Sequence, residues 1–234
     1  MKAVSSARAI TALAGAPPMT PGCLNRATNW INRGTDEAMS APTAGLPCQG
    51  RSAPPVRLAR PCLRYAGSFR EMAEEFQARG ELCYSRSLPL IRADFPAYLK
   101  EIERMEGPRG LPPGRVPQTE FWLIDETRRV VLGTIRFRHA LTPALENCGG
   151  QIGYAIRPTE RGKGYGKRML ALLLDCLKEM GWRRVLVTCD AGNAASACII
   201  TANGGVLEDQ RRDESSGRLI NRYWINLRDS DAGL

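Results

Sequence analysis

Six residues, Arg161-Gly162-Lys163-Gly164-Tyr165-Gly166, constrain this chain more than any other stretch. They carry glycine at alternate positions, follow a short apolar run stopped by Pro158, and open the helical pattern Leu170, Leu173, Leu174 and Leu177. A helix N-terminus offers unpaired N–H groups and the positive end of its dipole. Glycines let a phosphate reach those groups, and Arg161, Lys163 and Lys167 add positive charge. The segment is built to hold a pyrophosphate. Two common nucleotide loops do not fit it. A Walker loop needs G-x-x-x-x-G-K-[ST], but Gly162 to Gly166 is one residue short and Arg168 stands where the hydroxyl belongs. A dinucleotide fingerprint needs a third glycine where Met169 stands. A nucleotide-dependent phosphotransferase therefore fails on spacing.

The patterns around the loop alternate between strand and helix. Ser68 with Glu71 reads as a capping box for a helix through Gln77, with Phe69, Met72, Ala73 and Phe76 on one face. Asp94 caps a second helix from Phe95, with Pro96 in its first turn. Residues 107–117 are a loop by composition. Strands follow at 120–124 and from 130 to about 139. In the second, Val131, Ile135, Phe137 and His139 share one face, Arg136 and Arg138 share the other, and Gly133 marks a bulge or a twist. A strand at 151–157 precedes the loop, and a helix over 164–180 follows it. A β-branched strand at 185–189 and a short helix over 193–202 come next. Gly204-Gly205 ends that helix, and strands at 206–208 and 219–227 close the chain as a hairpin.

Residues 1–55 differ from the rest. They are rich in Ala, Pro, Gly, Ser and Thr without an apolar period, and are expected to form a disordered extension before a folded domain at 56–234. Five of the nine net positive charges lie in residues 1–60, so the folded part is only mildly basic. That suits an anionic cofactor without demanding nucleic acid, and none is expected as partner. No apolar run approaches the roughly 20 residues of a membrane span, so no membrane partner is expected. Eight cysteines form no C-x-x-C pair and His139 is the only histidine, which argues against a metal site. With no secretory signal, the expected compartment is a reducing cytoplasm.

The loop, its flanking strand Gln151-Ile-Gly-Tyr-Ala-Ile-Arg157-Pro158, and the stretch from Val185 through Asn193 and Ser196 to Asn203-Gly204-Gly205 together resemble the GNAT superfamily of N-acetyltransferases. The nearest likeness is a group of predicted bacterial acetyltransferases. The resemblance covers residues 120–225 well and 56–119 loosely. It implies an α+β (mixed α/β) fold of GNAT type, with a central, mostly antiparallel twisted sheet splayed at the cofactor site and flanked by helices. It also implies acetyl-CoA as co-substrate, with no metal. The acetyl-pantetheine arm would lie in the gap between the strands at 151–157 and 185–189, against backbone groups near Ile156 and Arg157. The amides of Arg161, Gly162, Lys163, Gly164, Tyr165 and Gly166 would take the pyrophosphate. Asn193 and Ser196 would reach the pantetheine, and each also has a plain local reading: Asn193 as a helix cap, Ser196 as a helix-face hydroxyl.

The implied reaction is direct attack of an unprotonated amine on the thioester in a ternary complex, which requires proton handling. Glu120 and His139 are the candidate bases, His139 because an imidazole titrates near neutrality. Many family members carry a tyrosine in the short helix to protonate the leaving thiolate, and alignment on Asn193 and Gly204 places Ile200 there. The general acid is thus unassigned, and a non-catalytic acyl-CoA-binding domain is the alternative. An acyl-cysteine route through Cys189 or Cys198 is set against plain apolar packing of both. The acceptor is an amine-bearing small molecule or peptide. Arg109 and Arg115 point to an acidic one, Glu71, Glu74 and Glu75 to a cationic one. A homodimer is the assembly to be tested.

Overall fold

Near-continuous burial along two long strands, 118–125 and 130–138, means that both of their faces need a cover, and helices from both halves of the chain supply it. A computed structural model describes residues 56–227; the expected extension at 1–55 lies outside the described residues. The elements are β1 (Val56–Ala59), α1 (Ala66–Ala78), α2 (Leu88–Ala93), α3 (Phe95–Arg104), β2 (Gln118–Asp125), β3 (Val130–Arg138), β4 (Ile152–Ile156), α4 (Tyr165–Glu179), β5 (Arg184–Asp190), α5 (Ala194–Thr201), β6 (Gly205–Arg212) and β7 (Leu219–Asn226). They form a seven-stranded sheet in the order β1-β2-β3-β4-β5-β7-β6, parallel only between β4 and β5.

One face of the sheet packs on α4 and α5 through Leu123, Ile135, Phe137, Leu170, Leu173, Val187 and Ile200. The opposite face, over β1 to β3, packs on α1, α2 and α3 through Phe69, Met72, Phe76, Ile91, Phe95, Trp122 and Ile124. Phe69 stacks on Trp122 with centroids 4.4 Å apart. The mixed fold and the mostly antiparallel sheet are as expected.

Several local expectations change. Ser68 lies inside α1, which has no side-chain cap. Its Oγ instead accepts the Val131 N–H at 3.0 Å and a bond from Arg157 at 3.2 Å, so tertiary donors have displaced the local capping box. Asp94 does cap α3, accepting from Ala97 N–H at 2.9 Å. The register jumps from Leu123↔Gly133 to Ile124↔Val131, so the extra residue of the bulge is Leu132. Val131 therefore turns toward Trp122 and Ile124, while Leu132 joins Ile135 and Phe137 on the opposite face. Gly133 is there for a close approach: a Cβ would lie 2.5 Å from the Ala155 carbonyl oxygen. Two elements, β1 and α2, were not foreseen, the latter because Pro89 in its first turn reads as a breaker. β6 runs on to Arg212, and its charged residues are those of an exposed edge strand.

Candidate active site

Five register pairs join β3 to β4 and seven join β5 to β7, but a single pair, Ile152↔Val187, joins β4 to β5. The two parallel strands part beyond it. The pairing pattern says what faces the gap. Arg157 N–H donates to Leu132 C=O and Arg138 N–H to Gln151 C=O, both at 2.8 Å. That makes Gly133/Ile156, Ile135/Tyr154 and Phe137/Ile152 the non-hydrogen-bonded pairs of the β3–β4 ladder. The backbone N–H and C=O groups of Tyr154 and Ile156 thus turn from β3 toward β5. Arg157, expected beside them, is committed elsewhere. Its N–H is taken by Leu132, and its buried guanidinium binds Glu75 at 2.6 Å and Glu71 at 3.2 Å, clamping α1 to the end of β4.

A cleft of about 710 Å³ runs from this gap to the N-terminus of α4, lined among others by Tyr154, Ile156, Gly164, Lys167, Asn193 and Cys198. The three glycines of the loop have different reasons to be there. Gly162 and Gly164 have φ of 76° and 83°, left-handed values that side chains disfavour, and Gly164 is the N-cap of α4. Gly166 instead lets α4 and α5 touch, since a Cβ would lie 2.5 Å from Ile199 Cδ1. Two of the loop's cations already have partners. Arg161 pairs with Glu81 at 2.6 and 2.8 Å and lies over the Phe76 ring. Lys163 binds the buried Glu160 at 2.9 Å, which Arg128 also holds at 2.8 Å. What the loop offers a phosphate is chiefly its backbone amides, with Lys167 beside them. Tyr165 lines the cleft, its hydroxyl accepting from Arg128 at 3.4 Å.

Asn193 caps α5, its Oδ1 accepting Ser196 N–H at 3.0 Å. Ser196 Oγ bonds the Tyr154 hydroxyl at 2.7 Å, and burial pushes that phenol up to about 12. Ile200 is fully buried in the core rather than in the cleft. Tyr154 thus reaches across from β4 to the start of α5 at the edge of the cleft. Sequence reading passed over Tyr154 because strand tyrosines are ordinary core residues. Cys189 is buried, and burial raises its thiol. Cys198 and Cys83 line the cleft.

The two candidate bases lie on opposite faces of the sheet. Glu120, on the α1–α3 side, is 7% exposed and accepts from Trp122 Nε1–H at 3.0 Å. Burial raises its pKa, held back by Arg136, whose Nε is 4.0 Å away. Beside them Tyr84 bonds Thr134 Oγ1 at 2.7 Å. Tyr84 directly follows Cys83, which lines the cleft, so this cluster stands behind that wall, with Glu120 itself not among the lining residues. His139 follows the end of β3 on the α4 side. It shares a 2.9 Å bond with Thr119 Oγ1, and burial followed by Arg60 pushes its imidazole down to about 4. It stands by the start of β4, not by the parted end, and the structure does not bring it to the cleft.

Among the described residues no cluster of His, Cys, Asp and Glu is arranged to hold a metal, and no helix is long and apolar enough to cross a membrane. Residues 71–206 match the family described as an acetyltransferase (GNAT) domain. No curated protein matches the chain. Among solved structures, RimJ from Mycobacterium smegmatis, in complex with CoA-disulfide, is similar at 17% identity and TM-score 0.55, over 73% of this chain and 81% of its own. A ribosomal-protein-S5-alanine acetyltransferase from Vibrio fischeri is similar at 16% identity and TM-score 0.55, over 74% and 94%. The microcin C7 self-immunity acetyltransferase MccE, in complex with acetyl-CoA and AMP, is similar at 16% identity and TM-score 0.50, over 73% and 92%. At these identities the likeness is one of fold.

Proposed function

Because the chain belongs to the GNAT acetyltransferase family, and so is an acyl-CoA-dependent N-acetyltransferase, we propose that it moves an acetyl group from acetyl-CoA to a primary amine by direct attack in a ternary complex. The observation that carries this reading is the parting of β4 from β5, with the polar backbone of Tyr154 and Ile156 turned into a gap that continues to the α4 N-terminus. The amides of residues 161–166 hold the pyrophosphate. Those of Tyr154 and Ile156 hold the pantetheine and face the negative charge that builds on the thioester carbonyl oxygen. Asn193 stiffens the start of α5 as its cap and lines the same cleft. Arg157 keeps β4 in place through Glu75 and does not touch the co-substrate.

As the C–N bond forms, the amine must lose a proton. Glu120, whose raised pKa brings it nearer to neutrality, takes it through water. As the C–S bond breaks, Tyr154 gives its hydroxyl proton to the thiolate, oriented by Ser196. Glu120 rather than His139 is the base because it lies on the side of the sheet that borders Cys83 and the cleft. The acceptors are amine-bearing small molecules or peptides.

Initial rates of thiol release, with acetyl-CoA and amine varied together, test this reading. Intersecting double-reciprocal lines are expected, and Glu120→Gln should lower kcat about 100-fold, the low end of general-base effects, with coenzyme A affinity kept. Parallel lines with an acetylated Cys83 or Cys198 trapped would replace the ternary mechanism by a covalent one.

A further inference from the structure

The acidic residues of α1 that suggested a cationic acceptor are already paired: Glu71 and Glu75 with Arg157, and Glu74 with Arg92. Three basic residues on the same side of the sheet are held more loosely. Arg136 and Arg138 are two apart on β3 and point to the α1–α3 face, together with Thr134, which bonds Tyr84 there. Register places Arg138 opposite Gln118, at the end of β2 that the loop bearing Arg115 enters. Arg128, Arg157, Arg161 and Arg222 each hold a carboxylate at 2.6–2.8 Å. By contrast, Arg138 donates only to the Gly149 and Gly150 carbonyl oxygens, both at 3.0 Å from one nitrogen. Arg136 has Glu120 at 4.0 Å, with its own side chain 41% exposed. The exposed Arg115 has no carboxylate partner among the described residues. Of these three guanidinium groups only Arg136 has a carboxylate within 4.0 Å.

β4 adds no side chain beside them at Gly153. Gly153 of β4 stands opposite Arg136, and the nearest atoms to a Cβ there would be the Arg138 nitrogens at 3.9 and 4.0 Å. The strip also has a direction. Thr134, two residues before Arg136 on the same face, holds Tyr84, the neighbour of the cleft-lining Cys83, while Arg138 lies opposite Gln118, at the end of β2 where the loop bearing Arg115 enters. Mutual repulsion adds to burial here: the Arg138 guanidinium is pushed down to about 10 by burial, then Arg136, then Arg115. An incoming anion relieves that repulsion, and a polyamine adds to it.

We propose that the acceptor is a small amine whose molecule also carries a carboxylate or phosphate group, bound by Arg138 and Arg115 with Arg136 between that anion and the cleft. This rests on the reading of the cleft as the acetyl-transfer site. Planar guanidinium groups match both oxyanions in the same bidentate manner, so the chemistry is shared and the source is decided by assay. The amino group then projects toward Cys83 and Glu120, where its proton is accepted.

The test uses the full chain with acetyl-CoA and follows thiol release on matched acceptors. Glycine, aspartate and glutamate form the carboxylate arm, O-phosphoethanolamine the phosphate arm, and glycinamide, ethanolamine and spermidine the controls. The expected result is a kcat/KM for one anionic arm roughly tenfold or more above its neutral counterpart, as loss of a charged hydrogen bond implies. In Arg138→Gln that ratio should fall by a similar factor, through KM rather than kcat, while the exposed-loop variant Arg109→Gln keeps it. Preference for spermidine or the neutral amines, or an unchanged ratio in Arg138→Gln, overturns the proposal. Calorimetric titration of N-acetylaspartate and O-phosphoethanolamine into the coenzyme A-bound protein gives a readout that needs no turnover. Binding lost in Arg138→Gln supports the proposal, and no binding to the wild type overturns it. Coenzyme A affinity reports the fold of each variant and separates the two readings. If the wild type does not bind coenzyme A, the transfer site itself is misread and both fall; if it binds but shows no anion preference, only the acceptor proposal falls.

Discussion

The two sides of the parted strands are built by different means. On the α4 side, a contiguous loop and the helix it starts present backbone amides, and the glycines serve conformation and packing. On the α1–α3 side, four separate segments contribute side chains: Glu120 from β2, Arg136 and Arg138 from β3, Cys83 and Tyr84 from the turn after α1, and Arg115 from a loop. A backbone cradle recognises what every donor molecule shares. A side-chain mosaic can be altered one residue at a time, which is how one fold takes many acceptors. The difference predicts that damage on the first side shows as lost co-substrate affinity, and damage on the second as altered acceptor kinetics.

The largest effect should come from Gly166→Val. The added carbons collide with Ile199 and push α4 from α5; a displacement of about 1 Å at the loop should weaken coenzyme A binding roughly 100-fold. Calorimetry checks this, and unchanged affinity would show that the α4–α5 contact does not set the cradle. Smaller, and mixing the two sides, is Tyr154→Phe. It removes the hydroxyl bonded to Ser196 and should lower kcat about tenfold to 100-fold at constant coenzyme A affinity. A loss in affinity alone would make Tyr154 a binding group and leave the acid unassigned.

The smallest effect on activity belongs to His139→Gln, which should keep acetyl transfer near neutral pH. Its consequence is for stability. The folded imidazole stays neutral down to about 4, whereas the unfolded chain takes up a proton near 6.5. The contribution is therefore present in full above 6.5 and is lost as pH falls toward 4. The difference in Tm between wild type and variant should shrink, or reverse in favour of the variant, across that window. A rate loss of about 100-fold at neutral pH would return His139 to the mechanism.

Much of this was legible in advance. The loop, the β4 strand stopped by Pro158, Asn193 as cap and the Gly204 stop were all readable, because each is local: spacing and dihedral preference act over a few residues. Other features were not. Ser68 reads as a cap, yet it serves β3 and Arg157, partners 63 and 89 residues away. His139 shares a strand pattern with Phe137, but nothing in the pattern says that it lies at the wrong end of the gap. The parity of Val131 failed at the bulge that leaves Leu132 unpaired in the β2–β3 register.

By itself, then, the sequence determined the family, the order of most elements and the glycine loop that opens α4, since these depend on contiguous residues and on backbone groups that every chain possesses. Only the tertiary structure decided which cations the ion pairs consume, that Tyr154 reaches Ser196 across the cleft, on which side of the sheet each candidate base stands, and that Arg136 and Arg138 share a face on which only Arg136 has a carboxylate near it. Those are properties of distance between residues far apart in the chain, and hydrophobic packing of two helical layers on one sheet sets them.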